Sequence, residues 1–179
     1  MGGRKALRPF RGAPLAAHAV GLARRWSDEV VVVVRDASQL AGAVDVPLAL
    51  DPAGIAGPLA GLAAALAHAG ALGAPLLLTL PCDAPNLPAD LPARLAAGLG
   101  AGDGAALPRA ADRLQPACGL WRVDVALDRL PAYLASGRSS LHGFAAACGL
   151  AVVAFAGEDA GAFANANTVE ELERLERAP

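Results

Sequence analysis

"LALDPAGIAGPLAGLAAALAHAGALGAPLLLTLPCDAP", residues 48–85, carries the pattern that decides the fold. The apolar run "VPLAL" (Val46 to Leu50) reads as a buried strand and runs straight into Asp51 and a turn containing Gly54 and Gly57. "GPLAGLAAALAHAG" reads as a helix, with Pro58 just inside its start and Gly70 at its end. "PLLLTL" (Pro75 to Leu80) reads as a buried strand closed by Pro81. Strand, helix and strand at this spacing make a βαβ unit, which predicts a parallel sheet with helices packed on it.

The same alternation extends outward. Upstream, "APLAAHAVGLARRW" predicts a helix with Leu15, Ala19, Leu22 and Trp26 on one face. "EVVVVV" (Glu29 to Val34) follows it and predicts a strand covered on both faces. Downstream, a helix is expected around Ala89 to Leu99. "GAALPRAADRLQPACGLWR" then predicts a short antiparallel pair turning at Ala111–Asp112. Helices around Val125 to Ala135 and Leu141 to Cys148 precede a strand, Leu150 to Phe155. "NTVEELERLERA" closes the chain as an amphipathic helix, capped by Thr168 and Glu171. The expected class is α/β: a Rossmann-like, doubly wound, mostly parallel sheet with a small antiparallel pair, in a single domain over residues 1–179.

Composition removes several classes of function. The 179 residues are 55% hydrophobic and 18% charged, which suits a packed domain and not a disordered tail. Aromatics are only 4%, so Ala, Leu and Val must build most of the core. A net charge of −2 argues against a dedicated nucleic-acid binder. Cys82, Cys118 and Cys148 are odd in number and form no CxxC pair. They predict small buried thiols in a reducing, cytoplasmic setting, with no zinc knuckle or disulfide framework. Residues 52–82 lack Asp, Glu, Lys and Arg. Gly70, Gly73, Pro75 and Pro81 break that stretch into a buried helix and a buried strand, so no membrane span is expected.

Two aspartates stand where open α/β sheets collect ligands, beyond the carboxyl ends of strands. Asp83 lies between Pro81 and Pro85 and is a candidate Mg²⁺ ligand, or simply the start of a turn. Asp51 opens the glycine turn before the helix at Pro58, where backbone N–H groups form a cradle for a phosphate or a sugar. The head of the chain groups Arg4, Lys5, Arg8 and Arg11 beside Gly2 and Gly3. That cluster suits an ammonium held near a polyphosphate, or ordinary solvated charge. In "FANANT", Asn165 and Asn167 are two apart and point the same way in an extended segment. They are either a pair of amides for a polar heterocycle or ordinary helix-entry residues. His18, His68 and His142 join no Cys or Glu motif and read as core or surface histidines.

Taken together, these motifs resemble the molybdenum cofactor guanylyltransferases. "MGGRKAL" is similar to the end of that family's signature loop, "DPAGIAGPLAGL" to its Asp-then-GPLAG segment, and "LPCDAPNLP" to its metal site. "RLQPACGLW" resembles the family's QP or HP strand pair, and "FANANTVEEL" its most discriminating ending. The resemblance implies a nucleotidyltransferase fold and a Mg²⁺-dependent enzyme. Lys5, Asp51 and Asp83 would contact GTP, Asp83 would also carry Mg²⁺, and Asn165 and Asn167 would line the pterin side. The implied reaction joins GMP from GTP to molybdopterin and releases pyrophosphate. The implied partners are the two substrates and, transiently, other molybdenum cofactor proteins. CTP or ATP as the donor, or an inactive cofactor-binding module, are the alternative readings.

The chain departs from the family pattern in three places. An apolar strand and glycine-rich loop start are expected before Met1, which predicts that Met1 is internal to a longer protein. Arg4 stands where the family often has Asp. Arg35 stands where an asparagine follows the family's second strand, and that asparagine's nucleotide contact is not carried over to it.

Overall fold

The computed structural model describes residues 5–40, 42–157 and 159–177. Gly2, Gly3 and Arg4 lie outside the described residues. A 3-10 turn at Lys5–Leu7 leads into strands β1 (Pro9–Phe10) and β2 (Ala13–Pro14) and helix α1 (Leu15–Ala23). Strands β3 (Val32–Val34) and β4 (Leu48–Leu50) precede helix α2 (Pro58–Ala71) and strand β5 (Leu76–Thr79). Helix α3 (Leu91–Gly98), strands β6 (Ala105–Ala110), β7 (Arg113–Leu114) and β8 (Gly119–Arg122), and helices α4 (Val123–Ala135) and α5 (Leu141–Cys148) follow. The chain ends with β9 (Leu150–Phe155), α6 (Asp159–Ala162) and α7 (Val169–Arg177).

The α/β class and the expected order of elements hold, but the strand pairing is mixed and not mostly parallel. Parallel ladders join β3 to β4 and β6 to β9. Antiparallel ladders join β5 to β8, β8 to β6 and β6 to β7. β8 is the reason. The sequence reading made the stretch around residues 104–122 a pair of strands, whereas it folds as three, and β8 inserts between β5 and β6. The turn at Ala111–Asp112 is where it was expected, with φ of 46° and 60°. Two successive left-handed residues match the twist of a tight hairpin.

Alternation along β6 and β8 divides the core. Ala105, Leu107 and Trp121 face α2, α4 and α5, where Trp121 stacks on Phe144 with ring centroids 5.8 Å apart. Ala106, Ala110 and Leu120 face the other way, against Leu91 and Leu95 of α3 and Phe155 of β9. Both faces are therefore covered, as a doubly wound sheet requires.

β3, β4 and β5 depart from the expectation of full burial. In β3 only Val34 is buried, and Leu48 and Leu50 of β4 are exposed. β5 is at most half-buried. Among the described residues β3 pairs with β4 alone and β5 with β8 alone, so each has one open edge. α2 packs on both, and the α1 region adds apolar cover: Ala16 shares a cluster with Val34, while Leu22 and, just after the helix, Trp26 share one with Leu78 and Leu80.

Candidate active site

The Lys5–Leu7 turn, the loop after β5 and the segment before α7 meet at one place. Lys5 Nζ donates to Asp83 Oδ2 at 2.5 Å and to Asn167 Oδ1 at 2.7 Å. Side-chain exposure is 31% at Lys5 and 18% at Asp83, so the pair is shielded yet reachable from solvent. The backbone fixes the geometry: Ala166 N–H donates to the Asp83 carbonyl at 2.8 Å, which ties the "FANANT" segment to the strand-end loop. Ala166 is buried while Asn165 and Asn167 are exposed, as alternation along an extended segment predicts.

The capping box then locks Asn167. Glu171 Oε2 accepts from the N–H groups of Asn167 and Thr168 at 2.7 and 3.0 Å, and Glu171 N–H donates to Thr168 Oγ1 at 3.1 Å. The two backbone donors hold the Glu171 carboxyl below its usual range. Arg8 adds a clamp that the sequence did not reveal, its NH1 donating to the Asn167 carbonyl at 3.0 Å. His18 proves structural: it sits edge-on to Phe10, and its Nε2 lies 3.0 Å from the Pro85 carbonyl oxygen. His68 and His142 enter none of these contacts.

Asp51 lies in a second group. Its N–H donates to the Val34 carbonyl at 3.0 Å, continuing the β3–β4 ladder, and its side chain is 22% exposed. Arg35 Nε stands 3.7 Å from Asp51 Oδ2. Gly54 and Gly57 have φ of 87° and 71°, and an added Cβ at either would meet nothing within 4 Å. These glycines answer a backbone requirement and leave the turn open. Gly57 caps α2, with Pro58 next to it.

A cavity of about 270 Å³ is lined by chain neighbours of these groups, Pro58 at the α2 start and Pro81 and Ala84 on either side of Asp83, and by Gln115, Phe163 and Asn165; Lys5, Asp51, Asp83 and Asn167 are not among its lining residues. Gln115 was missed as a lining residue. Its signal was the "QP" turn between two short strands, which the sequence reading used only as a motif. No direct contact among the described residues links Asp51 to Lys5, Asp83 or Asn167.

Among the described residues no group of three or more His, Cys, Asp and Glu could hold a metal ion. Lys5 takes one oxygen of Asp83 and leaves the other as an acceptor. That donor set fits Mg²⁺ arriving with a nucleotide, since Mg²⁺ is held by one or two carboxylates plus substrate phosphates and water. Cys82, next to Asp83, is held toward its neutral thiol form. Burial first and the Asp83 charge second raise its thiol above the ordinary range, with Lys5 partly opposing them.

The model of the MobA-like NTP transferase domain matches residues 1–152. The chain belongs to that family. A molybdenum cofactor guanylyltransferase of Cereibacter sphaeroides is 48% identical over 120 residues, which cover 67% of this chain and 60% of that protein. The chain thus matches only part of that relative's length. A protein of the same name from Cupriavidus taiwanensis is 39% identical over 183 residues, covering 96% of this chain and 87% of that one. Among solved structures, molybdopterin-guanine dinucleotide biosynthesis protein A of Archaeoglobus fulgidus superposes with a TM-score of 0.74. It is 21% identical, with 96% of this chain and 88% of that one covered. The 2-C-methyl-D-erythritol 4-phosphate cytidylyltransferase of Thermus thermophilus gives 0.72 at 20% identity, covering 99% and 95%. These two likenesses establish the nucleotidyltransferase fold. No helix of the described residues is long and apolar enough to cross a membrane.

Proposed function

We propose that this chain, as one domain over residues 1–179, transfers GMP from GTP to molybdopterin, forming the guanine dinucleotide cofactor and releasing pyrophosphate. The observation that carries the reading is the Lys5–Asp83–Asn167 cluster, which unites three sequence-distant motifs at the end of one strand. The relatives named molybdenum cofactor guanylyltransferase support the choice of reaction.

In this reading a phosphate oxygen of molybdopterin attacks the α-phosphorus of GTP. The bond from that phosphorus to the bridging oxygen breaks, and the electron pair leaves with pyrophosphate. The attacking oxygen is already ionised near neutral pH, so the protein supplies no general base. Its task is to hold two polyanions in line and offset the growing charge. An ammonium has three N–H donors. Among the described residues Lys5 spends two, on Asp83 and Asn167, which leaves one for a phosphate oxygen. Asp83 would hold Mg²⁺, which when bound supplies positive charge beside the pyrophosphate oxygens. Asp51 and the Gly54–Gly57 turn hold the nucleotide, and Asn165 and Asn167 face the pterin.

The reading places the protein in the cytoplasm, supported by three free cysteines, and gives it no role on nucleic acid or membrane. Molybdopterin and its guanylated product pass by transient contact with other molybdenum cofactor proteins. The test is pyrophosphate release from the purified chain with Mg²⁺, molybdopterin, and GTP, CTP or ATP in turn. Release with GTP, together with a guanine dinucleotide product, supports the proposal. A preference for CTP or ATP, or pterin binding without release, overturns it.

A further inference from the structure

Asn167 is exposed, yet its backbone is held at every polar group. Glu171 Oε2 accepts from the N–H groups on either side of its carbonyl, those of Asn167 and Thr168, at 2.7 and 3.0 Å. Arg8 NH1 donates to the carbonyl itself at 3.0 Å. Peptide units are planar, so pinning these groups stops both units from turning and fixes where the Asn167 side chain leaves the backbone. The Glu171 bonds belong to the cap of α7. The Arg8 bond spans 159 residues and lies outside that cap. A hydrogen bond between exposed groups replaces one to water and adds little net stability, so the fold alone does not account for it.

Arg8 and Lys5 bracket one 3-10 turn, closed by Arg8 N–H on the Lys5 carbonyl at 3.2 Å. Residues three apart in such a turn carry their side chains on one side. The Arg8 carbonyl accepts from Leu15 N–H at 2.9 Å, which fixes the turn to the start of α1. One turn therefore grips one asparagine at two atoms, Arg8 at the carbonyl and Lys5 at Oδ1. A lysine ammonium is a point charge on a flexible stem, and with two of its three donors tied the third has a set direction. We propose that Arg8 is a positioning residue for the transfer reaction: it holds the Asn167 carbonyl so that the Asn167 side chain keeps the Lys5 ammonium aimed beside Asp83. This inference rests on the guanylyl reading and adds to it the residue that sets the lysine.

The experiment follows Lys5 and turnover together in wild type, R8M, K5M and the double variant, each first matched to wild type by circular dichroism. Lys5 is the only lysine among the 179 residues, so selective ¹⁵N-lysine labelling gives one side-chain ammonium signal. In R8M, which keeps the aliphatic stem, that signal should move toward the position of a free lysine. Guanylyl transfer should lose about tenfold in kcat, with KM for GTP within about twofold, as expected of a misaimed group and not of a lost ligand contact. In K5M the ammonium is gone, so adding R8M should lower kcat no further. N167A cuts the same link at its other end and should move the signal in the same way, which keeps the test open should R8M fail to fold. An unchanged Lys5 signal in either folded variant, or an equal kcat loss from R8M with and without Lys5, would overturn the proposal. A wild-type chain that releases no pyrophosphate with GTP would overturn the guanylyl reading, and the ammonium signal would then still decide whether Arg8 holds Lys5.

Discussion

Lys5 Nζ and Asp83 Oδ2 meet at 2.5 Å across 78 residues of sequence, with Asn167 Oδ1 as the third member of the contact. The proposed chemistry depends on this junction more than on the pairing of the two strand-end aspartates. The head of the chain is held at this end of the sheet by α1, by the "FANANT" segment and by α7, whose Glu176 accepts from the Arg11 N–H.

Lys5→Met should lower guanylyl transfer by about 10²-fold, as removal of a charge-stabilising donor does elsewhere. The Lys5–Asp83 pair is partly exposed, so its loss should change stability by less than about 1 kcal/mol. Pyrophosphate release and thermal melting of the same preparation check both halves. A large fall in melting temperature would make Lys5 structural.

Asp83→Ala should abolish transfer while circular dichroism and melting stay close to wild type, because the loop is also held through the Asp83 backbone carbonyl. Titrating Mg²⁺ against the wild-type reaction should show a requirement that excess EDTA removes. Near-normal turnover in the variant rules out a metal-holding role for this carboxylate.

Gly57→Ala tests the cradle. The site has room for a Cβ, so the penalty comes from forcing φ of 71° and ψ of −162°, a region open essentially to glycine alone, on an L residue, about 1–3 kcal/mol. Stability should fall by about that much, measured by urea denaturation, and KM for the nucleotide should rise as the turn relaxes. An unchanged midpoint would show that the turn adapts without strain.

Burial drives the thiols of Cys118 and Cys148 up, to about 12 and about 11. A raised folded-state value disfavours the thiolate, so the stabilisation is complete below the ordinary thiol range near pH 9. It is lost as pH climbs from there toward 11 and 12. Each thiol should then raise the unfolded fraction by about tenfold per pH unit. Denaturation midpoints between pH 8 and 11 should fall for wild type and fall less steeply for Cys118→Ala.

The open edges of β3 and β5 give a backbone prediction. Val32 N–H donates to the Pro47 carbonyl and Asp51 N–H to the Val34 carbonyl, so the intervening Val33 N–H points away from β4. Its amide should exchange hydrogen much faster than that of Val34. Amide exchange followed by NMR reads this directly, and equal protection at the two positions would show that the edge is covered.

Local patterns were legible because their causes are local. The Pro58 start of α2, the left-handed turn at Ala111–Asp112 and the Thr168–Glu171 cap each depend on a few neighbouring residues. Asp51 and Asp83 could be picked out because the first directly follows a predicted strand and the second lies two residues beyond one. Arg8 on the Asn167 carbonyl and Gln115 on the cavity wall could not, since their partners lie far along the chain. The burial of β3 and β4 was overestimated for the same reason. A valine run records a capacity to be covered, and only the neighbours decide the covering.

The sequence by itself determined the succession of strands and helices, the residue types at the strand ends and the family motifs, because periodicity, capping and turn chemistry act over short separations. The tertiary structure alone decided that β8 inserts between β5 and β6 and that Lys5, Asp83 and Asn167 share one contact while Asp51 pairs with Arg35. Strand order and side-chain convergence follow from which long-range ladders form, and ladder partners are chosen by shape and backbone hydrogen bonding across the whole fold.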